Sequence, residues 1–528
     1  MEANLPAAIG FLAEVRQDST RPHEPVFAAR GSRARWHERT AERTLHTVLL
    51  HSGAPEAACA RERGRTLVLA GELYNRDELT GLLPGRLLPG SDAALVSALF
   101  DVYDVHAFRL LNGRFAALLA DRERAVLATD HSGSVPLYVS VAPGRVLAAT
   151  EAKALRGAAP RGRPLAQGRP VRRRPGTRQV PAGSVLDIQV STGRCVPHRT
   201  WMPPLARRIV PEDEAVDIVR RALARAVRAR TGPGTPLVVL SGGIDSSAVA
   251  ALAAARSAGP IDTVSMGTDE ADEFPQARVV ARHIGSVHQE ITVPTADLLR
   301  GLPHAVWAAE CTDPDVIEYL LPLTALYLCL GDTESDGNTG GDGGTSRDGG
   351  AGRRILTGYG ADIPLGGMHR EARLAQLDTA VCHDMDTFDG LNEMTPALSA
   401  MAGHWSTHPY WDRDVLDVLV SLEAGLKRRH GRDKWVLRAA LGDVLPHEVV
   451  VRPKLGVHEG SGTTSSFSRL LADAGVPEDR VRQAKRMVVE EIYDQVVAEG
   501  RHPDEVALDT VVELIAGRTA HRPCPIPR

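Results

Sequence analysis

The chain has 528 residues, 43% hydrophobic and 24% charged, a balance that suits two to four packed domains and excludes a disordered chain. A net charge of −4 supplies no strong field toward nucleic acid or an anionic membrane, and no 18-residue apolar run is present. Cys59, Cys195, Cys311, Cys329, Cys382 and Cys524 are scattered without a CxxC pair, which points to reduced thiols in a cytoplasmic protein rather than a disulfide frame or zinc site, and Met1-Glu2-Ala3-Asn4-Leu5-Pro6 lacks the basic start of a signal peptide.

Short apolar runs recur through the first 200 residues, at Thr47–Leu50, Thr66–Leu69, Phe115–Leu119, Ala125–Ala128, Leu137–Val141 and Val185–Ile188. Turn residues separate them, and helical signals are few, so the region predicts stacked antiparallel sheets. Residues 157–183 are rich in Arg, Gly and Pro without interleaved aromatics, as expected of a solvated surface loop. After Trp201-Met202-Pro203-Pro204 the character changes: Ala215, Val219, Ala222, Ala226 and Val227 line one face of a predicted helix.

Leu237-Val238-Val239-Leu240 then reads as a buried strand, followed by the turn Ser241-Gly242-Gly243-Ile244-Asp245-Ser246-Ser247 and a helix from about Ala248 to Ala255. Such a turn aims backbone N–H groups and a helix N-terminus at one point, an anion cradle in which Gly242 and Gly243 let the backbone close on a phosphate. Asp245 beside a phosphate makes sense when a metal bridges the two. Thr263–Thr268 reads as a second parallel strand, which makes the region an α/β nucleotide domain. Residues 331–353 have almost no apolar side chain to bury and predict a disordered insert. Tyr410 to Leu445 is helical in pattern, and the run Lys427 to Lys434 within it reads as an exposed charged face ahead of the lining of an anionic ligand site.

The strings Gly71-Glu72-Leu73-Tyr74-Asn75, Gly113-Arg114-Phe115-Ala116, Asp130-His131-Ser132-Gly133-Ser134 and Thr150-Glu151-Ala152-Lys153-Ala154-Leu155 resemble the glutamine amidotransferase domain of asparagine synthetases. The resemblance implies an αββα sandwich of the N-terminal-nucleophile (Ntn) type over residues 1–205. That family uses a cysteine directly after the initiator Met, whereas here position 2 is Glu2 and the family's NGE motif reads Ala70-Gly71-Glu72. Without nucleophile and oxyanion donor the domain is expected to be a scaffold with no glutaminase activity.

The Ser241 to Ser247 turn matches the SGGxDS loop of ATP pyrophosphatases. Ser265-Met266-Gly267-Thr268, Thr357-Gly358-Tyr359-Gly360-Ala361-Asp362, Phe388-Asp389-Gly390-Leu391-Asn392-Glu393-Met394 and Arg452-Pro453-Lys454-Leu455-Gly456 resemble the β-lactam synthetase family. The implied fold class is α/β plus α+β, with the Ntn-type sandwich followed over residues 206–528 by an α/β ATP-pyrophosphatase (adenine nucleotide alpha hydrolase-like) synthetase domain. The implied reaction is adenylation of N2-(2-carboxyethyl)-L-arginine by ATP with Mg²⁺, then closure to a monocyclic β-lactam with release of AMP, the ring-forming step of clavulanic acid biosynthesis. The resemblance assigns Tyr359 and Glu393 as a catalytic dyad, Lys454 as the lysine that stabilises oxyanion and phosphate charge, and Asp245 and Asp362 as metal ligands. ATP falls to Leu240, Ser241, Gly242, Gly243, Asp245, Ser246, Ser247, Met266 and Gly358, with adenine near Leu240 and Met266, and the substrate guanidinium to Asp384. Read alone, Asp362 is a helix N-cap, Tyr359 a core tyrosine, Glu393 a surface carboxylate and Lys454 a solvated lysine.

The closest rival is a carbapenam synthetase-like cyclase, whose substrate has no guanidinium. Glu2 disfavours an asparagine synthetase, a lasso-peptide cyclase has a different N-terminal region, and a non-catalytic nucleotide-binding regulator would need a damaged phosphate turn. The expected partner is the small-molecule substrate, with no nucleic acid and no membrane, and a homodimer is left open.

Overall fold

The computed structural model describes residues 5–16, 25–28, 32–39, 44–52, 54–84, 89–121, 123–157, 168–204, 210–232, 234–335, 352–369, 372–387, 393–453 and 463–520. The first half holds β1 (Ala8–Arg16), β2 (Ser32–Arg39), β3 (Thr44–His51), β4 (Cys59–Glu62), β5 (Arg65–Leu73), β6 (Gly113–Ala120), β7 (Arg124–Thr129), β8 (Tyr138–Ala142), β9 (Arg145–Ala149), β10 (Arg169–Pro170), β11 (Thr177–Gln179), β12 (Ser184–Gln189) and β13 (Arg194–Arg199). They form two sheets with antiparallel pairings, ordered β10-β11-β8-β9-β1-β3-β2 and β13-β12-β7-β6-β5-β4.

Side-chain alternation sets the layers. On β6, Ala116, Leu118 and Ala120 meet Phe11, Ala13 and Val15 of β1 between the sheets. Phe115, Ala117 and Leu119 point the other way, onto Leu95 and Leu99 of the helix Asp92–Tyr103. The outer face of the first sheet, with Leu12, Val48 and Leu147, packs on Ala400 and Trp405 of the second half. β1 is therefore buried along its whole length. Gly10 and Glu14 interrupt its apolar residues, and it is absent from the predicted set.

The second half is an α/β unit around the parallel strands β14 (Leu237–Val239), β15 (Asp262–Thr268), β16 (Val287–Val293), β17 (Arg354–Leu356) and β18 (Trp405–Thr407), ordered β16-β15-β14-β17-β18. Val238 and Leu356 bury against the helices Glu212–Thr231, Ile244–Ala254 and Phe274–Ile284, whereas Leu237, Val264 and Ile355 bury against Leu302–Ala309, Pro314–Ser335 and Val481–Tyr493. β15 and β16 lie on one side of β14, and β17 and β18 on the other. The strand order thus reverses between β14 and β17, and ligands of such sheets bind at the carboxyl ends of the strands at that point.

Three expectations are corrected. The helix after the phosphate turn starts at Ile244 rather than Ala248, with Gly243 at its N-cap, so Asp245 and Ser246 lie in its first turn. The insert is not irregular from 331: the helix Pro314–Ser335 continues to 335 and Gly331 is buried, while 336–351 lie outside the described residues. The arginine-rich stretch is not simply solvated: Arg172 and Arg173 each reach Asp494 at 2.9 Å, and Arg174 is buried, tying the two halves together. The window Pro314–Gly331 is long and apolar enough to cross a membrane, but 72% of it is buried inside the fold, where its apolar side chains form core.

Candidate active site

The turn after β14 and the turn after β17 meet at the switch point. Leu240 N–H donates to Val264 O of β15 at 2.8 Å, which continues the sheet one residue into the turn. Gly242 has φ +72° and passes so close to Gln276 that an added Cβ would lie 2.6 Å from backbone, so no other residue fits there. Ser246 Oγ accepts from Ser241 N–H at 3.1 Å and lies 3.1 Å from Ser241 Oγ, which pulls the turn into a loop over the helix N-terminus. Ser247 is fully buried. Gly358, after β17, packs against the backbone of Asp245 and Ser246, a contact that a Cβ would forbid. Met266 lies near the end of β15.

Asp245 and Asp362, one from each turn, converge on the ammonium of Lys434, which is fully buried. The Lys434–Asp362 distance is 2.8 Å. Burial works against the charged form of Lys434, but the two carboxylates outweigh it and raise its pKa. Asp362 lies in a turn rather than at a helix start, so it caps no helix. Among the described residues no three His, Cys, Asp or Glu side chains converge as a self-sufficient metal site. Two hard carboxylate oxygens facing a cation still fit Mg²⁺, which takes one or two carboxylates and completes its shell with phosphate oxygens and water.

Tyr359 hydroxyl donates to Glu393 Oε2, across 34 residues of sequence. Burial, followed by the charge of Glu393, raises the phenol pKa well above its usual value, and burial also raises that of Glu393. The Tyr359 ring stands edge-on to His408 with centroids 5.7 Å apart. Thr357 Oγ1 lies 2.7 Å from His408 Nδ1 and accepts from Tyr359 N–H at 3.3 Å. Trp411 Nε1–H donates to Gly360 O at 3.1 Å, and Tyr410 hydroxyl donates to Asp245 O at 3.1 Å. The segment after β18 therefore grips both turns.

Burial, then the charges of Arg114 and Arg230, pushes the His408 pKa well below normal. The sign follows from linkage: the unfolded chain takes the proton near pH ~6.5 and the folded chain does not, so stability is lost as pH falls below that value, by about 1.4 kcal/mol per pH unit for one proton. Wild-type protein unfolded in urea at decreasing pH should show this loss, and His408→Gln should show a shallower one. Parallel curves would remove His408 as its source.

Residues 218–383 and 397–513 match the Asparagine synthase family, and residues 42–157 match a Glutamine amidotransferase domain. The carboxyethyl-arginine beta-lactam-synthase of Streptomyces clavuligerus is 61% identical over 523 residues, covering 98% of this chain and 98% of that protein. The chain belongs to the asparagine synthase family. Asparagine synthetase B of Escherichia coli (strain K12) is 25% identical over 80% of this chain and 74% of that protein, and asparagine synthetase 1 of Arabidopsis thaliana is 25% identical over 75% and 67%. The chain is accordingly an ATP-dependent, amide-forming ligase.

In this synthetase Asp384 lies on the helix Leu374–Thr387, and its Oδ2 is 2.6 Å from His369 Nε2. Lys454 and the Phe388 to Asn392 stretch lie outside the described residues. The expectation that the Lys427 to Lys434 run is an exposed face fails at its ends, where Lys427 and Lys434 are fully buried, while His430, Gly431 and Arg432 between them are exposed. Lys427 Nζ donates to Val420 O at 3.1 Å, and Lys434 meets the two aspartates. Lys434, His408, Tyr410 and Trp411 were all absent from the sequence-derived site. The one local sign for Lys434 is its place directly before the apolar start of the helix Trp435–Ala440.

Proposed function

We propose that the protein is an ATP- and Mg²⁺-dependent β-lactam synthetase that closes N2-(2-carboxyethyl)-L-arginine, in a cytoplasmic setting, with the domain division at 205/206. The observation that carries the reading is 61% identity over 98% of both chains with the Streptomyces clavuligerus protein of that activity. In the first step the substrate carboxylate attacks the α-phosphorus of ATP, forming the acyl-adenylate and releasing pyrophosphate. The Ser241 to Ser247 turn binds phosphates through N–H and hydroxyl donors, and adenine lies against Leu240 and Met266. Asp245 and Asp362 would hold Mg²⁺, which would supply charge neutralisation between the two anions.

In the second step the secondary amine of the same molecule attacks the acyl carbon, the C–N bond forms, and AMP leaves. The amine must lose one proton. Tyr359 oxygen takes it while the phenol proton moves to Glu393, and the raised pKa of Glu393 makes it a better acceptor than a solvated carboxylate. Lys454 stabilises the tetrahedral oxyanion and the departing phosphate, and Asp384 pairs with the guanidinium in the planar fork that arginine-like groups prefer. Because amine and acyl group share one molecule, the site supplies orientation and charge rather than a second substrate's capture.

Incubation with ATP, Mg²⁺ and the arginine-derived substrate should yield a product one water lighter, with AMP and pyrophosphate in equal amounts. Asp384→Ala should weaken use of this substrate by about 10–100-fold, as expected for loss of a charged partner to a guanidinium. A wild-type enzyme that cyclises only a carboxylate lacking a guanidinium would replace this reading with the carbapenam-type one.

A further inference from the structure

Arg114 belongs to the amidotransferase-like half yet reaches the synthetase site. It stands on β6 beside Glu72 of β5 and is buried, 4% exposed. Its guanidinium donates from Nη1 to Ser406 O and from Nη2 to Met394 O, 292 and 280 residues away. Met394 is bonded to Glu393. Ser406 lies in β18, paired with Ile355 of β17, and Thr357 N–H continues that pairing by donating to Thr407 O at 3.1 Å, two residues before Tyr359. One planar cation therefore joins the chain segment of one member of the Tyr359–Glu393 pair to the sheet that carries the other.

The cation is itself fixed. It stacks over the Trp405 ring at 4.9 Å, and Trp405 Nε1–H donates to Glu72 Oε1 at 3.0 Å. Glu72 also receives Arg354 Nη1 at 2.9 Å, at the start of β17. Glu72 thus clamps the N-terminal ends of β17 and β18 while Arg114 ties β18 to Met394. The carbonyls that Arg114 engages are backbone groups, and a fork of two donors at fixed spacing suits two acceptors at fixed spacing. A lysine offers a point charge and no such spacing.

We infer that Arg114 is a positioning residue for ring closure: it sets the separation of Tyr359 and Glu393, so the amidotransferase-like half acts as a brace of the synthetase site. The inference rests on the assignment of Tyr359 and Glu393 as the proton-accepting pair. The test is the partition between ATP–pyrophosphate exchange, which reads adenylation, and lactam formation, measured across pH. Arg114→Lys, and Arg114→Gln as a second variant, should slow lactam formation at least tenfold, leave exchange within about threefold, and displace the acidic limb of the lactam pH profile. Arg172→Gln removes another contact between the halves, to Asp494, and should leave the partition unmoved.

Equal loss of both rates in the Arg114 variants, or loss of neither, overturns the inference. If Tyr359→Phe shifts the partition and the Arg114 variants do not, the brace alone fails. If Tyr359→Phe leaves it unmoved, the pair assignment fails and the brace falls with it. Hydrogen exchange on wild-type enzyme supplies a readout that needs no variant: Met394 to Thr407 should open together with β5 and β6 as one unit, and opening with the helix Phe274–Ile284 instead overturns the inference.

Discussion

Lys434→Met is expected to lower ATP–pyrophosphate exchange by about 10²–10³-fold or more, the scale seen when a preorganised donor is removed from a site of developing charge. The ammonium is fully buried and contacts both Asp245 and Asp362, so it orients the two carboxylates. Without it two acids face each other inside the protein. Breaking a buried ion pair by removing one partner costs about 3–5 kcal/mol, so the ligand-free variant should also unfold at lower urea concentration. The pKa of Lys434 is raised, so its contribution is fully present below the ~10.4 of an unfolded lysine and is lost only as pH rises through the higher folded value. The stability deficit of the variant should therefore stay constant from about pH 6 to about pH 9. Added Mg²⁺ should restore part of it, because a cation between the same oxygens replaces the missing charge. Exchange at the wild-type rate would exclude Lys434 from the site's machinery.

Tyr359→Phe is expected to separate the two half-reactions. Adenylation consumes no proton acceptor from this pair, so pyrophosphate exchange should fall by less than about threefold, while lactam formation should fall by about 10²–10⁴-fold, the usual worth of a positioned general base. The substitution keeps the ring against His408 and removes only the hydroxyl that donates to Glu393. Glu393→Gln should give the same split with a smaller loss, since the phenol remains but has no carboxylate to take its proton. Acyl-adenylate accumulation, seen as hydroxamate after hydroxylamine trapping, is the direct measurement. Loss of exchange and closure together in Tyr359→Phe would move Tyr359 from proton transfer to binding of ATP.

The phosphate turn was legible because its signal is local. A short apolar strand, two glycines, three serines and one acid within eleven residues encode an anion cradle, and the fold adds little beyond starting the helix at Ile244. The same holds for the strands of the first half whose apolar run is unbroken, such as β6. β1 is not legible because Gly10 and Glu14 break its apolar run, and only the fold covers Glu14, through Arg16 and Arg145.

What the tertiary structure alone decided is the set of charged and aromatic groups that reach the site from afar. Lys434 sits in a run of basic residues whose default is solvent, and two carboxylates, one of them 189 residues earlier, reverse that default by compensating its desolvation. Arg114 reads as part of an amidotransferase motif, and its second role exists only because its side chain reaches Ser406 O on β18. His408 and Trp411 follow a three-residue strand too short to show a pattern, yet they hold Tyr359 and Gly360 in place. The sequence by itself determined where phosphate can bind and which chemistry the motifs imply. Which cations, rings and carbonyls surround that point was decided by packing between segments hundreds of residues apart, because the free energy of a buried charge depends on its neighbours in space rather than in the chain.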